Sequence, residues 1–150
     1  MGCLGAVLYD PATAVSKATT AAAAMVAFDT TNARITFTVG PSGRVLVRGV
    51  CGVHGATTMP TILLGVLSGS TVVARVAPIG GLKNTAVATA IVTQEATFVV
   101  DGLTPGASLT WDFAFGVETG VASTAIKYGG PNNTTANDAF GALQFEIWEA

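Results

Sequence analysis

The chain has 150 residues, a length that fits one domain able to bury a sizeable core without metal or disulfide staples. Half of the residues are hydrophobic and only 11% are charged, against about 25% in average soluble proteins. The net charge is −2 with the Lys and Arg scattered, which excludes a basic nucleic-acid surface; the sparse polar surface points instead to cover by a membrane or by other protein.

Cys3 to Tyr9 reads as a short apolar strand ended by the turn dipeptide Asp10-Pro11. Thr13 to Ala24 mixes Ala, Thr and Ser without an apolar face at helical spacing. Residues 10–24 are therefore expected to form an extended arm or irregular loop, with a short helix as the alternative. Asp29-Thr-Thr-Asn32 is a turn. Ala33 to Val39 alternates, with Ile35, Phe37 and Val39 on one face. Gly40-Pro-Ser-Gly43 turns the chain and Arg44 to Val53 follows, which predicts a hairpin of the two strands. A second hairpin is predicted from Thr61 to Leu67 and Thr71 to Ala77 across Ser68-Gly-Ser70. Ala86 to Val92 and Glu95 to Val100 are further strands. Ala107 to Val117 alternates most clearly: Leu109, Trp111, Phe113, Phe115 and Val117 share one face. Val121 to Tyr128 is the next strand, and a polar loop leads from it into the last one, Phe140 to Glu149.

Short strands separated by turns, with no convincing helix, predict an all-β protein. About ten antiparallel strands in this length fit a jelly-roll β-sandwich spanning residues 1–150 as a single domain. The candidate core is Phe37, Phe98, Trp111, Phe113, Phe115 and Phe145. In the last strand Leu143, Phe145 and Ile147 point one way, and Phe140, Gln144, Glu146 and Trp148 the other. That mixed second face has two readings: a small second core under the N-terminal arm, or a subunit interface, where buried aromatics dominate binding.

The candidate chemistry is thin. No Lys, Arg, Asp or Glu lies between Arg48 and Arg75, but His54, Pro60, Ser68, Ser70 and four threonines interrupt that stretch, whereas a spanning helix wants about 20 predominantly apolar residues. No membrane span and no signal peptide is expected, since the first residues lack a basic region and Ala21–Ala24 is short. Cys3 and Cys51 match no metal spacing and read as buried free thiols. His54 is the single histidine, and the sequence identifies no partner for it as a catalytic base. Asp112 and Glu118 could flank a sugar, but isolated carboxylates on a strand usually solvate it. Gly80-Gly81 and Gly129-Gly130 do not precede helices and are not phosphate loops. The Asn-rich segment 132–138 has one carboxylate, Asp138, too little charge for calcium, and the sequon at Asn133 lacks a secretory context. No cofactor, no metal and no enzymatic activity is expected.

Phe28-Asp-Thr-Thr-Asn-Ala-Arg-Ile-Thr-Phe-Thr-Val-Gly-Pro-Ser-Gly-Arg-Val-Leu-Val-Arg48, together with the C-terminal aromatic strand after its Gly/Asn-rich loop, resembles the globular heads of the C1q and tumour-necrosis-factor superfamily. Val45 and Val47 stand where that family usually has Tyr-x-Phe. The runs Leu103-Thr-Pro-Gly-Ala-Ser-Leu-Thr-Trp-Asp112 and Lys127-Tyr-Gly-Gly-Pro-Asn-Asn-Thr-Thr-Ala-Asn-Asp-Ala-Phe-Gly141 are similar to small virion proteins of actinobacterial tailed phages. That resemblance implies a structural role in the virion. The expected protein is a homotrimeric capsid decoration or minor capsid protein, assembled in the bacterial cytoplasm, that binds and stabilises the major capsid protein shell. The alternative is a tail-fibre or receptor-binding tip presenting loops 54–60 and 129–138 to a host ligand.

Overall fold

The computed structural model describes residues 2–18, 24–53, 62–77, 92–117, 125–130 and 142–150, and the statements below concern these. They contain eleven strands: β1 (Cys3–Tyr9), β2 (Val15–Ala18), β3 (Val26–Ala27), β4 (Arg34–Thr38), β5 (Val45–Val53), β6 (Ile62–Ser68), β7 (Thr71–Val76), β8 (Val92–Val100), β9 (Ser108–Val117), β10 (Ala125–Tyr128) and β11 (Leu143–Glu149). All pairings are antiparallel. One sheet has the order β1-β11-β5-β8. The other runs β3-β9-β6-β7, and β4 joins it beside β3 on the same edge of β9. β2 and β10 form a separate two-stranded ribbon. The two large sheets enclose one core, so the protein is an all-β sandwich.

Alternation builds that core directly. β4 and β11 each send every second side chain inward, and the inward ones, Ile35, Phe37, Leu143, Phe145 and Ile147, are buried. Trp111, Phe113 and Phe115 of β9 face them from the other sheet. Phe98 is half-buried and packs at the margin. Phe113 and Phe145 join the two sheets through stacked rings, with centroids 5.5 Å apart and planes 12° apart. Gly49 makes room for this stack: a Cβ on it would overlap the Phe113 ring. Phe28 and Tyr128 complete the aromatic centre. Phe28 lies 4.8 Å from both Phe113 and Phe115, ring centre to ring centre, and the Tyr128 hydroxyl donates to the Phe28 carbonyl at 2.8 Å.

Three features depart from the sequence reading. The predicted hairpin of residues 33–53 does not form: β4 pairs with β9, while β5 lies in the opposite sheet between β11 and β8. Gly40 to Gly43 carries the chain across the end of the sandwich, with Gly43 at φ 66°. Alternation identifies which face of a strand is buried, and both strands have such a face, but it does not identify the neighbour. Second, the part of segment 10–24 that is described folds back on its own chain: β2 pairs with β10, and Gly130 N–H donates to the Pro11 carbonyl at 2.8 Å. Third, only one thiol is buried. Cys51 lies in the core, where desolvation pushes its pKa up, and Cys3 is exposed; both are free. The 61–77 hairpin forms as β6 and β7.

Candidate interaction surface

The outward side chains of the four-stranded sheet form three rows. β5 and β11 are central and β8 and β1 flank them, so cross-strand register places the rows. The first runs Cys3, Trp148, Leu46, Val99; the second Ala6, Glu146, Arg48, Thr97; the third Leu8, Gln144, Val50, Glu95. These are the residues that alternation turns away from the core, and most are apolar. Leu8 is 69% exposed and Val99 45%. Trp148, Leu46 and Val50 are half-buried. An outer face with this many apolar side chains is a candidate contact surface.

An ion cluster lies in the middle of the face. Arg48 Nε donates to Glu95 Oε1 at 2.8 Å and Arg48 Nη1 to Glu146 Oε1 at 3.4 Å. The Trp148 indole N–H donates to the other Glu146 oxygen at 3.0 Å. The hydrogen bond that Arg48 donates to Glu95 is the main reason its guanidinium is held above its ordinary pKa. Two carboxylates share one guanidinium, so the cluster carries a net charge of −1.

Of the proposed interface residues, Gln144, Glu146 and Trp148 sit together on this face, and Phe140 lies outside the described residues. Loop 54–60 with His54, and residues 131–138 with Asn133 and Asp138, also lie outside them, as does Glu118. Asp112 is on the outward side of the other sheet, buried, and held by Arg34 through two hydrogen bonds of 2.6 and 2.9 Å. Tyr128, the aromatic nearest the loop that a receptor-binding tip would present, is in the core. Among the described residues no three His, Cys, Asp or Glu side chains are grouped to hold a metal, and no helix is long and apolar enough to cross a membrane.

The sequence reading left out Leu8, Arg48, Glu95 and Val99. Each is an outward residue of an alternating strand, which was legible. Their common face was not, because it depends on pairings between β1, β5, β8 and β11 that alternation leaves open. The sequence matches no protein-family model and no curated protein.

Proposed function

We propose that this protein is a structural virion component of a tailed phage: a jelly-roll domain that trimerises and binds the major capsid shell as a decoration or minor capsid protein. The observation that carries the reading is the outer face of the four-stranded sheet, where Leu8 and Val99 are exposed and Trp148, Leu46 and Val50 half-buried in a chain with only 11% charged residues. Covering that face with protein removes apolar surface from water, which stabilises an assembly by about 25 cal/mol per Å². The strand order β1-β11-β5-β8 against β4-β9-β6-β7 supports the jelly-roll architecture, since such folds divide eight strands between two sheets. The likeness of residues 103–112 and 127–141 to small phage virion proteins supports the virion setting. A lattice that binds the folded form stabilises it, and is stabilised by it, through mass action.

Light scattering of the purified chain at micromolar concentration tests the first step. A mass of about 45 kDa, three times the 15.0 kDa chain, is expected. Co-sedimentation with capsid shells lacking the protein tests the second, with saturable binding expected. A chain that stays monomeric and is left in the supernatant overturns the reading.

A further inference from the structure

We infer that the contact through this face is heterologous: the Glu95–Arg48–Glu146 cluster of one protomer receives a cation from a different surface of the next, and that cation is Lys127 on the β2–β10 ribbon. The inference rests on the self-association reading above and specifies its geometry.

The first argument is charge. The cluster spans the second and third rows of the face and carries two carboxylates against one guanidinium. Every other outward residue of the three rows is uncharged: Cys3, Ala6 and Leu8 on β1, Gln144 and Trp148 on β11, Leu46 and Val50 on β5, Thr97 and Val99 on β8. A two-fold contact that laid this face on itself would bring two net negative centres together inside an apolar surround. Like charges opposed across an interface are strongly unfavourable, and the three rows hold no second cation to relieve them. A heterologous contact avoids the clash, and repeated by a closing rotation it generates a ring.

The second argument is complementarity. Of the described cations outside the cluster, Arg34 is already matched to Asp112 and Arg44 to Asp101, and Arg75 is engaged by a partner of its own. Lys17 lies near the Asp29 carboxylate. Lys127 is exposed on β10 and has no ion pair among the described residues. Among the described residues its flexible ammonium is the available counterpart to a −1 site. The ribbon that carries it belongs to neither large sheet, so it can dock on a neighbour without covering its own protomer's face.

The test is the self-dissociation constant, measured by sedimentation equilibrium, for the wild type, Glu95→Gln, Lys127→Glu, Glu95→Lys and the double variant Glu95→Lys/Lys127→Glu. Circular dichroism melting checks that each is folded. Glu95→Gln and Lys127→Glu are each expected to weaken association at least tenfold, and the double variant to associate at least tenfold more tightly than Glu95→Lys alone. The wild type is expected to weaken with added salt. A two-fold face-to-face contact predicts the opposite for Glu95→Gln, which would relieve repulsion and tighten association. Tightening or no change in Glu95→Gln, or no recovery in the double variant, overturns the proposed contact while leaving self-association standing. A wild type that stays monomeric at every concentration overturns self-association itself, and the contact with it.

Discussion

The two outer faces of the sandwich are treated in opposite ways. On the β4–β9 side the outward rows are hydroxyls and a paired charge: Thr36 and Thr110 share a hydrogen bond of 2.8 Å, Thr38 faces Ser108, and Arg34 grips Asp112. Of the apolar groups on that side, Leu67 and Ala114 are buried with Met25 from the chain's own segment before β3, and Val72 of β7 is partly open. The β1–β11–β5–β8 side has the reverse arrangement. Its outward rows are mostly apolar, and Leu8 and Val99 remain open to solvent. One sheet is largely finished by its own chain, and the other leaves more of its apolar surface open. An apolar outward position is thus informative only together with what the rest of the chain lays over it.

Four substitutions separate these faces from the core they share. The largest effect is expected from Gly49→Val, which drives a side chain into Phe113 and pushes the two sheets apart. Overpacking of this kind should lower stability by about 3 kcal/mol and abolish self-association as well; urea unfolding measures the first and light scattering the second. Next is Leu8→Asp, which puts a charge on the exposed row without touching the core. It should leave the melting profile of the isolated domain unchanged and weaken association by about 2 kcal/mol, the scale of an interface hot spot, read as a shift of mass toward 15.0 kDa. Leu8→Asp with undiminished mass would mean that the apolar face is not the contact.

Gln94→Met works in the opposite sense. Gln94 lies on the inward side of β8 beside Cys51, and its Oε1 is buried with no hydrogen-bond partner among the described residues. Replacing an unsatisfied acceptor by an apolar group of similar shape should raise stability by about 1 kcal/mol with the mass unchanged. An unchanged or lower urea midpoint would mean that the amide is satisfied in solution. The smallest effect is expected on the self-contained face. Thr36→Val removes an exposed hydrogen bond and should change stability by less than about 0.5 kcal/mol and association not at all. A large drop in association would show that the hydroxyl face, and not its opposite, carries the contact.

The strands themselves were legible in the sequence wherever one face is buried and the other wet. β9 and β11 show this best, with their inward apolar side chains set two residues apart. Pairing was not legible. The turn at Gly40-Pro41-Ser42-Gly43 looks like a hairpin turn and instead crosses between sheets, because a turn fixes local direction while the neighbour is set by packing far along the chain. β2 was hidden for a different reason: its four residues, Val15 to Ala18, have little apolar signal and are held by β10, more than a hundred positions away. The ion cluster was beyond reach for the same cause. Its members are separated by 47 and 98 positions, and nothing local to Arg48 announces Glu95 or Glu146.

The pairing of β1 with β11 carries a consequence for how the chain acquires its shape. β1 lies at the edge of its sheet, its hydrogen-bonded neighbour there is β11, and Glu149 N–H closes the pair onto the Gly2 carbonyl at 2.8 Å. During synthesis β1 therefore leaves the ribosome well before β11 and waits for it. Contacts this distant in sequence slow folding, and a strand left unpaired meanwhile is open to wrong partners. The slow step in reaching the native state is expected to be the docking of β11 between β1 and β5, and chains cut before residue 143 should accumulate as aggregates rather than as a stable three-stranded remnant.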